Sequence, residues 1–366
     1  MRELKILHAA DLHLDSPFEA LSDSQAKLRR REQRLLPGKV IEAAETQGAD
    51  LILLAGDLFD SGRPYHETAQ VIEEAFAKVE IPIFIAPGNH DYYSPASPWA
   101  RMQLRENVHI FKTSDMACID LGFARVYGAG FTEPYVPDLL AGFNAVRESD
   151  IWNILILHGD LGGGGYCPIT EQELAKSGAH YAALGHIHAQ SGLKKAGDTW
   201  YSYPGCTEGR GFDECGPRGA ALITLSDRGC ESKFLELCAR RYEIINVDVS
   251  NTDVRAALFE AVSSAREGDI CRFVLTGECG EAVPARELEE LAQKRGLFAA
   301  QLRDRTKAPR KIDGEGEDTL RGTFLRLARA RYDSAQTESE RQSARRAILW
   351  GLAAIDGGEE PWEVSR

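Results

Sequence analysis

At 366 residues the chain is long enough for a large core and a smaller second domain. Its composition, 43% apolar and 27% charged, is that of a globular protein, and no window is apolar enough to span a bilayer, so no membrane partner is expected. A net charge of −13 excludes a protein that grips nucleic acid through its overall charge; any such role must rest on a local patch or a second subunit. The eight cysteines are scattered singly, without CxxC pairs, and Met1–Leu7 enters a strand with no signal-peptide pattern. Both point to a cytoplasmic protein with reduced thiols and no cysteine zinc site.

Along the chain, strand-like apolar runs fall at Leu4–His8, Leu51–Ala55, Ile81–Ala86, Ile151–His158 and Tyr181–Gly185, with helical stretches between them. This alternation predicts a layered α/β core. A helical region over Ser24–Gln47 should break or kink at Pro37-Gly38. His66–Lys78 reads as an amphipathic helix, and Asp115–Tyr127 and Ser191–Tyr203 read as hairpins. From about Arg240 the pattern becomes strand (Tyr242–Val249), helix (Asp253–Arg266), strand (Ile270–Thr276), helix (Pro284–Arg295) and strand (Phe298–Asp304), a small β-α-β-α-β unit. The expected division is therefore 1–240, 241–305, a polar linker at 306–318 and a helical tail at 319–366. In the tail, Thr319–Tyr332 and Thr337–Ile355 carry more apolar residues than a solvated segment needs, and seven arginines, Arg321 to Arg346, make it locally basic.

Five short motifs sit just past predicted strands. They are Asp11-Leu12-His13, Gly56-Asp57 with Asp60, Gly88-Asn89-His90-Asp91, His158-Gly159 and Gly185-His186-Ile187-His188, and they hold five of the nine histidines. Any one of them has an ordinary explanation; Asp57, for instance, could simply cap the next helix, and Gly88-Asn89-His90-Asp91 could be a turn, since Asn and Gly favour turns. Together, each at a strand end, they aim imidazole, carboxylate and carboxamide groups at one region above a sheet. Nitrogen and oxygen donors without thiolate suit Mn²⁺, Fe²⁺ or Zn²⁺, and manganese is the first expectation for a labile hydrolytic site. Seven donors exceed the needs of one ion and match two that share a carboxylate. Such a pair would bind a phosphate and expel its alcohol by in-line attack, with His90 placed to protonate the leaving oxygen.

This motif series resembles the calcineurin-like metallophosphoesterases, whose pattern is D-x-H, GD-x-x-D, GNH-D/E, H and G-H-x-H. The resemblance spans roughly the first 240 residues. It implies an α/β/β/α sandwich with one divalent metal held by Asp11, His13, Asp57 and His188. It implies a second metal held by Asp57, Asn89, His158 and His186, with Asp57 as the bridge and Mg²⁺ as a further alternative ion. The family's catalytic histidine maps to His90, and Asp60 maps to the aspartate that orients it.

Within the family, Ala10-Asp11-Leu12-His13-Leu14-Asp15-Ser16-Pro17-Phe18 and the loop Tyr203–Arg210 through Gly219 are similar to the bacterial DNA-repair exonuclease branch, of the SbcD/YhaO type. So is Tyr166-Cys167-Pro168-Ile169. That likeness implies a capping domain after the phosphoesterase domain, and a helical tail that binds the coiled coil of an SMC-like ATPase. It implies a DNA exonuclease or endonuclease acting in repair, with a homodimer formed through the helices after Asp60 and Asp91. Arg210 could contact a neighbouring phosphate or simply belong to a tight turn. Two other functions remain open: a phosphodiesterase or phosphatase on small molecules or phosphoproteins, and a scaffold for the ATPase.

Overall fold

A computed structural model describes residues 1–162, 165–250, 252–279, 285–307, 316 and 318–355. Strands β1 (Leu4–Ala9), β2 (Leu51–Leu54), β3 (Ile83–Ile85) and β4 (Val108–Ile110) pair in parallel. A hairpin of β5 (Ala117–Asp120) and β6 (Ala124–Gly128) opens a second sheet. It continues through β7 (Trp152–His158), β8 (Tyr181–Gly185) and the hairpin β9 (Lys194–Ala196)–β10 (Thr199–Ser202), in the order β5-β6-β7-β8-β10-β9. The chain then returns to the first sheet with β11 (Gly219–Ser226) and β12 (Gly229–Glu236), giving β12-β11-β1-β2-β3-β4.

The continuous apolar runs follow from burial on both faces. Leu51 and Leu53 face the second sheet, packing with Trp152, Ile154, Ile156 and Tyr181, while Ile52 and Leu54 pack outward with Val40, Ile41, Ile72 and Phe76. Those outer residues come from α2 (Leu36–Gln47) and α3 (His66–Phe76), which follow α1 (Asp23–Gln33) and precede the short α4 (Pro98–Arg101). On the far side, Leu155, Leu157, Ala182 and Leu184 pack with Leu139, Leu140 and Leu174 of α5 (Glu171–Lys176). The order of layers is α/β/β/α, as expected.

Three local expectations need correction. The first helical region is broken at Arg34–Leu35, not at Pro37-Gly38: Pro37 lies in the first turn of α2, where its missing N–H costs nothing. The helix expected over Trp99–Arg105 is one turn, Pro98–Arg101. The β11–β12 hairpin has no counterpart among the expected elements.

After Arg241 a third sheet runs β13 (Tyr242–Asp248), α6 (Val254–Ser264), β14 (Ile270–Thr276), α7 (Ala285–Lys294) and β15 (Ala299–Asp304), all strands parallel in the order β13-β14-β15. Residues 1–276 and 283–305 form one compact unit, so at 240/241 the chain passes from one sheet to another inside it. Residues 277–282 and 306–366 form a second unit. Its helices α8 (Leu320–Asp333) and α9 (Glu338–Ile355) pair through Phe324, Leu325, Ile348 and Leu352. Gly351 allows this approach, since a Cβ there would lie 1.9 Å from the Phe324 ring. Most of the expected linker at 306–318 lies outside the described residues.

Candidate metal centre

Beyond β1 and β2 the backbone leaves regular structure but the two loops stay zipped. The N–H of Asp11 donates to the Gly56 carbonyl (3.0 Å), that of His13 to Asp57 (2.9 Å), and that of Leu14 to Leu58 (2.9 Å). Buried Gln33 of α1 adds an amide bond to the His13 carbonyl (2.7 Å), and the Ser16 hydroxyl donates to the same oxygen (2.6 Å). The loops hold a strained backbone. Among the described residues seven non-glycines have positive φ, and four of them are Asp11 (51°), His13 (44°), Asp57 (51°) and His186 (104°). Strain concentrated on chemistry-bearing residues is characteristic of a functional site.

Of the predicted residues, Asp11, His13, Asp57, Asn89, His90, His158 and His188 come together at the carboxyl ends of β1, β2, β3, β7 and β8, bridging both six-stranded sheets, whereas the His186 ring joins none of their clusters. Ligand atoms of Asp11, His13 and His188 lie within 4.8 Å of one another, as do those of Asp11, Asp57 and His158, and those of His13, Asp57 and His90. The Asn89 amide oxygen is 3.0 Å from His158 Nε2. His186 contributes its backbone N–H to the Asp11 carboxylate (3.1 Å), and its ring stands edge-on to His158 at 5.2 Å. Asp11, His13, Asp57 and His158 are buried, whereas His90 is exposed. Glycine is required behind Asp57: a Cβ on Gly88 would meet its carboxylate at 2.3 Å.

Each ring is turned by an oxygen behind it. His158 donates Nδ1–H to the Ala55 carbonyl (2.9 Å), and His188 donates Nδ1–H to Glu214 (2.7 Å). Asp60 faces Nδ1 of His13 at 3.3 Å. In all three Nε2 is turned to the interior, where Nε2 of His158 is 3.3 Å from Asp57 and Nε2 of His188 is 3.8 Å from Asp11. Nε2 of His13 and Nε2 of His188 stand only 3.1 Å apart. Two imidazole nitrogens facing each other beside buried carboxylates form a nitrogen and oxygen donor set that fits hard or borderline divalent ions.

Electrostatics agree. Burial alone would push the Asp57 carboxyl up, but His158, His13 and His90 outweigh it and hold Asp57 well below the usual range. Burial would lower His158, and Asp57 instead raises it to about 9. Burial and Asp57 push Asp91 up to about 7. That carboxylate has no role in the sequence reading. Its oxygens take the N–H groups of Gly88 (2.8 Å), Leu58 (2.9 Å) and Asp57 (3.2 Å), tying the second and third motifs together.

Asp60 differs from expectation. His90 Nδ1 does bond to Asp60, but to its backbone carbonyl (2.9 Å). The side chain serves His13 instead, because Ser16 Oγ (3.0 Å) and Arg210 (3.2 Å) hold it there. Arg210 also reaches Glu214 at 2.8 Å, so one guanidinium braces the carboxylates behind both His13 and His188. Glu214 was missed by the sequence reading; its only signal was its place in the Tyr203–Gly219 loop. Burial opposes ionisation of Glu214, but His188 and Arg210 hold it ionised. Glu214→Ala should weaken metal binding by about 10–100-fold with little change in fold. Calorimetric titration with Mn²⁺ checks this, and unchanged affinity would remove Glu214 from the site's support.

Comparison with known proteins places this geometry. The chain is 30% identical over 350 residues to the uncharacterized metallophosphoesterase YhaO of Bacillus subtilis, covering 89% of this chain and 85% of that protein. It is 24% identical to the DNA double-strand break repair protein Mre11 of Methanosarcina mazei, over 88% of this chain and 52% of that protein. For the protein of the same name from Aeropyrum pernix the figures are 28%, 68% and 64%. The chain thus spans only about half to two thirds of these two repair proteins. Among solved structures, TT1561 of Thermus thermophilus aligns over 64% of this chain and 99% of its own, with 16% identity and a TM-score of 0.40. Residues 4–190, which hold every motif, match the calcineurin-like phosphoesterase family. With metal-ligand geometry at the ends of two packed sheets and a family match across half its length, the chain belongs to the calcineurin-like phosphoesterases.

Proposed function

We propose that the protein is a DNA exonuclease or endonuclease of repair that hydrolyses phosphodiesters with two divalent cations, Mn²⁺ foremost. The carrying observation is the convergent set of Asp11, His13, Asp57, Asn89, His158 and His188 with the exposed His90 at its edge. The similarity to repair proteins supports DNA as the phosphodiester. When bound, the cations polarise the phosphate and generate the nucleophile. Asp57, which belongs to two of the three clusters, would be the ligand shared by both ions. His186, whose ring stands edge-on to His158, would offer the second ion a further nitrogen donor. His90, with Nδ1–H on the Asp60 carbonyl, would hand the leaving oxygen the Nε2 proton of its imidazolium form and be left neutral.

The same reading assigns the β13–β15 unit as the cap and the α8–α9 hairpin as the seat of an SMC-like coiled-coil ATPase. Leu320 and Leu327 of that hairpin are 76% and 70% exposed. That partner would supply much of the DNA grip that a charge of −13 denies this chain alone. A homodimer through α3 and the turn around α4 belongs to the same reading. No disulfide joins the cysteines among the described residues. No helix among those residues is long and apolar enough to cross a membrane.

With Mn²⁺ and linear DNA the protein should release nucleotides, and His90→Ala should lower the rate by about 10²–10⁴-fold while metal content and unfolding stay unchanged. Robust turnover of a cyclic nucleotide or phosphopeptide with inert DNA would replace DNA as substrate. Undiminished hydrolysis by the variant would remove His90 from the chemistry.

A further inference from the structure

An aromatic stack beside the metal centre takes no part in holding it. The Tyr166 ring lies 5.4 Å from the His186 ring, centroid to centroid. Tyr135 stacks on Tyr166 at 4.9 Å with the planes 18° apart, and the two hydroxyls are 3.3 Å from each other. Both rings stand on anchored backbone. The Cys167 N–H donates to the Val136 carbonyl (3.3 Å), and the Asp160 N–H to the Tyr166 carbonyl (3.2 Å). Cys167 and Val136 are themselves buried in the core outside β7 and β8. Tyr135, next to a buried valine, is nonetheless 61% exposed.

The stack therefore leads from a metal-site histidine out to an open aromatic face. A fixed, exposed aromatic ring is a surface on which a nucleobase stacks without regard to its identity. The two ring-to-ring steps, 5.4 Å and 4.9 Å, keep Tyr135 within a few nucleotides of a phosphate at the metal centre. We propose that Tyr135, backed by Tyr166, is a stacking subsite for a base of single-stranded DNA close to the scissile phosphate. This rests on the nuclease reading given above and deepens it. It explains how a chain of net charge −13 obtains hold of a strand by means other than charge.

The test uses the full-length protein loaded with Mn²⁺, and single-stranded oligonucleotides that are intact, abasic near the cleaved bond, or labelled there with 2-aminopurine. Tyr135→Ala should raise KM for the intact strand by about 5–100-fold. It should also abolish the quenching of 2-aminopurine on binding, while leaving the abasic strand, metal content and turnover of a small phosphodiester unchanged. Tyr135→Phe should restore wild-type behaviour, because it keeps the ring. Equal losses on intact and abasic strands, or failure of the phenylalanine to rescue, would overturn the subsite. If the wild type cleaves DNA and Tyr135→Ala is indistinguishable from it, the subsite falls and the nuclease reading stands. If the wild type turns over a small phosphodiester but neither binds nor cleaves any oligonucleotide, both fall together.

Discussion

Asp57→Asn should leave the protein folded but without either metal, and should lower phosphodiester hydrolysis by about 10³-fold or more. The reason is positional. One Asp57 oxygen is 3.3 Å from His158 Nε2, and the same carboxylate lies 3.9 Å from His13 Nε2, so it faces both clusters at once. Its other oxygen receives the His90 N–H at 2.9 Å, which an asparagine oxygen can still accept, so the loop should survive. Loss of a ligand at one edge should behave differently: Asn89→Ala touches only the His158 side and should cost about one ion of two. Elemental analysis of the purified variants decides the matter. Full metal content in Asp57→Asn would show that the ions do not share this carboxylate.

The second large effect is on stability. Arg29→Met should destabilise the protein by about 3–5 kcal/mol, because it removes one partner of a fully buried ion pair and strands the other. Arg29 and Glu208 are hydrogen-bonded to each other with neither side chain exposed, and Arg29 also holds Glu32 at 2.8 Å. Glu32 in turn binds Arg240 (2.6 Å), whose guanidinium sits 4.0 Å above the Phe298 ring. The chain of charges thus runs from α1 to the start of the third sheet. It also anchors the loop that delivers Arg210 and Glu214 to the metal site, since Glu208 lies on that loop and accepts the Ala239 N–H at 2.8 Å. Arg29→Met with Glu208→Leu should recover much of the loss, as an apolar pair does not leave a charge stranded. Urea unfolding measures both variants. Equal stability of the single and double substitutions would show that the stranded carboxylate is not the cause.

Much of the site was legible because it obeys local grammar. A parallel strand buried on both faces must read as an unbroken apolar run, and ligands must follow where it ends; Leu51–Leu54 followed by Gly56-Asp57 satisfies both conditions. Alternation in an extended segment made Asp11 with His13, and His186 with His188, candidates to face one ion; Asp11 and His13 do meet, through loops of positive φ and not an extended run, whereas the His186 ring joins no cluster with His188. Asp60 shows where that grammar stops. Its position said that it belongs near His90, but only the packing of Ser16 and Arg210 turned its carboxylate to His13 and left its carbonyl for His90.

Local patterning was enough for the strands that carry the motifs, the layered α/β class and the donor chemistry, because periodicity and strand-end residues are properties of short segments. The return of β11 to the edge of β1, with Leu4 opposite Leu225, emerged only on folding, and so did the bracing of His188 by Glu214 and Arg210. Folding likewise matched Arg29 with Glu208, 179 residues away. Such pairings leave no periodic trace. They are chosen by which buried charges and open strand edges meet once the two sheets close on each other, and only the folded chain holds that information.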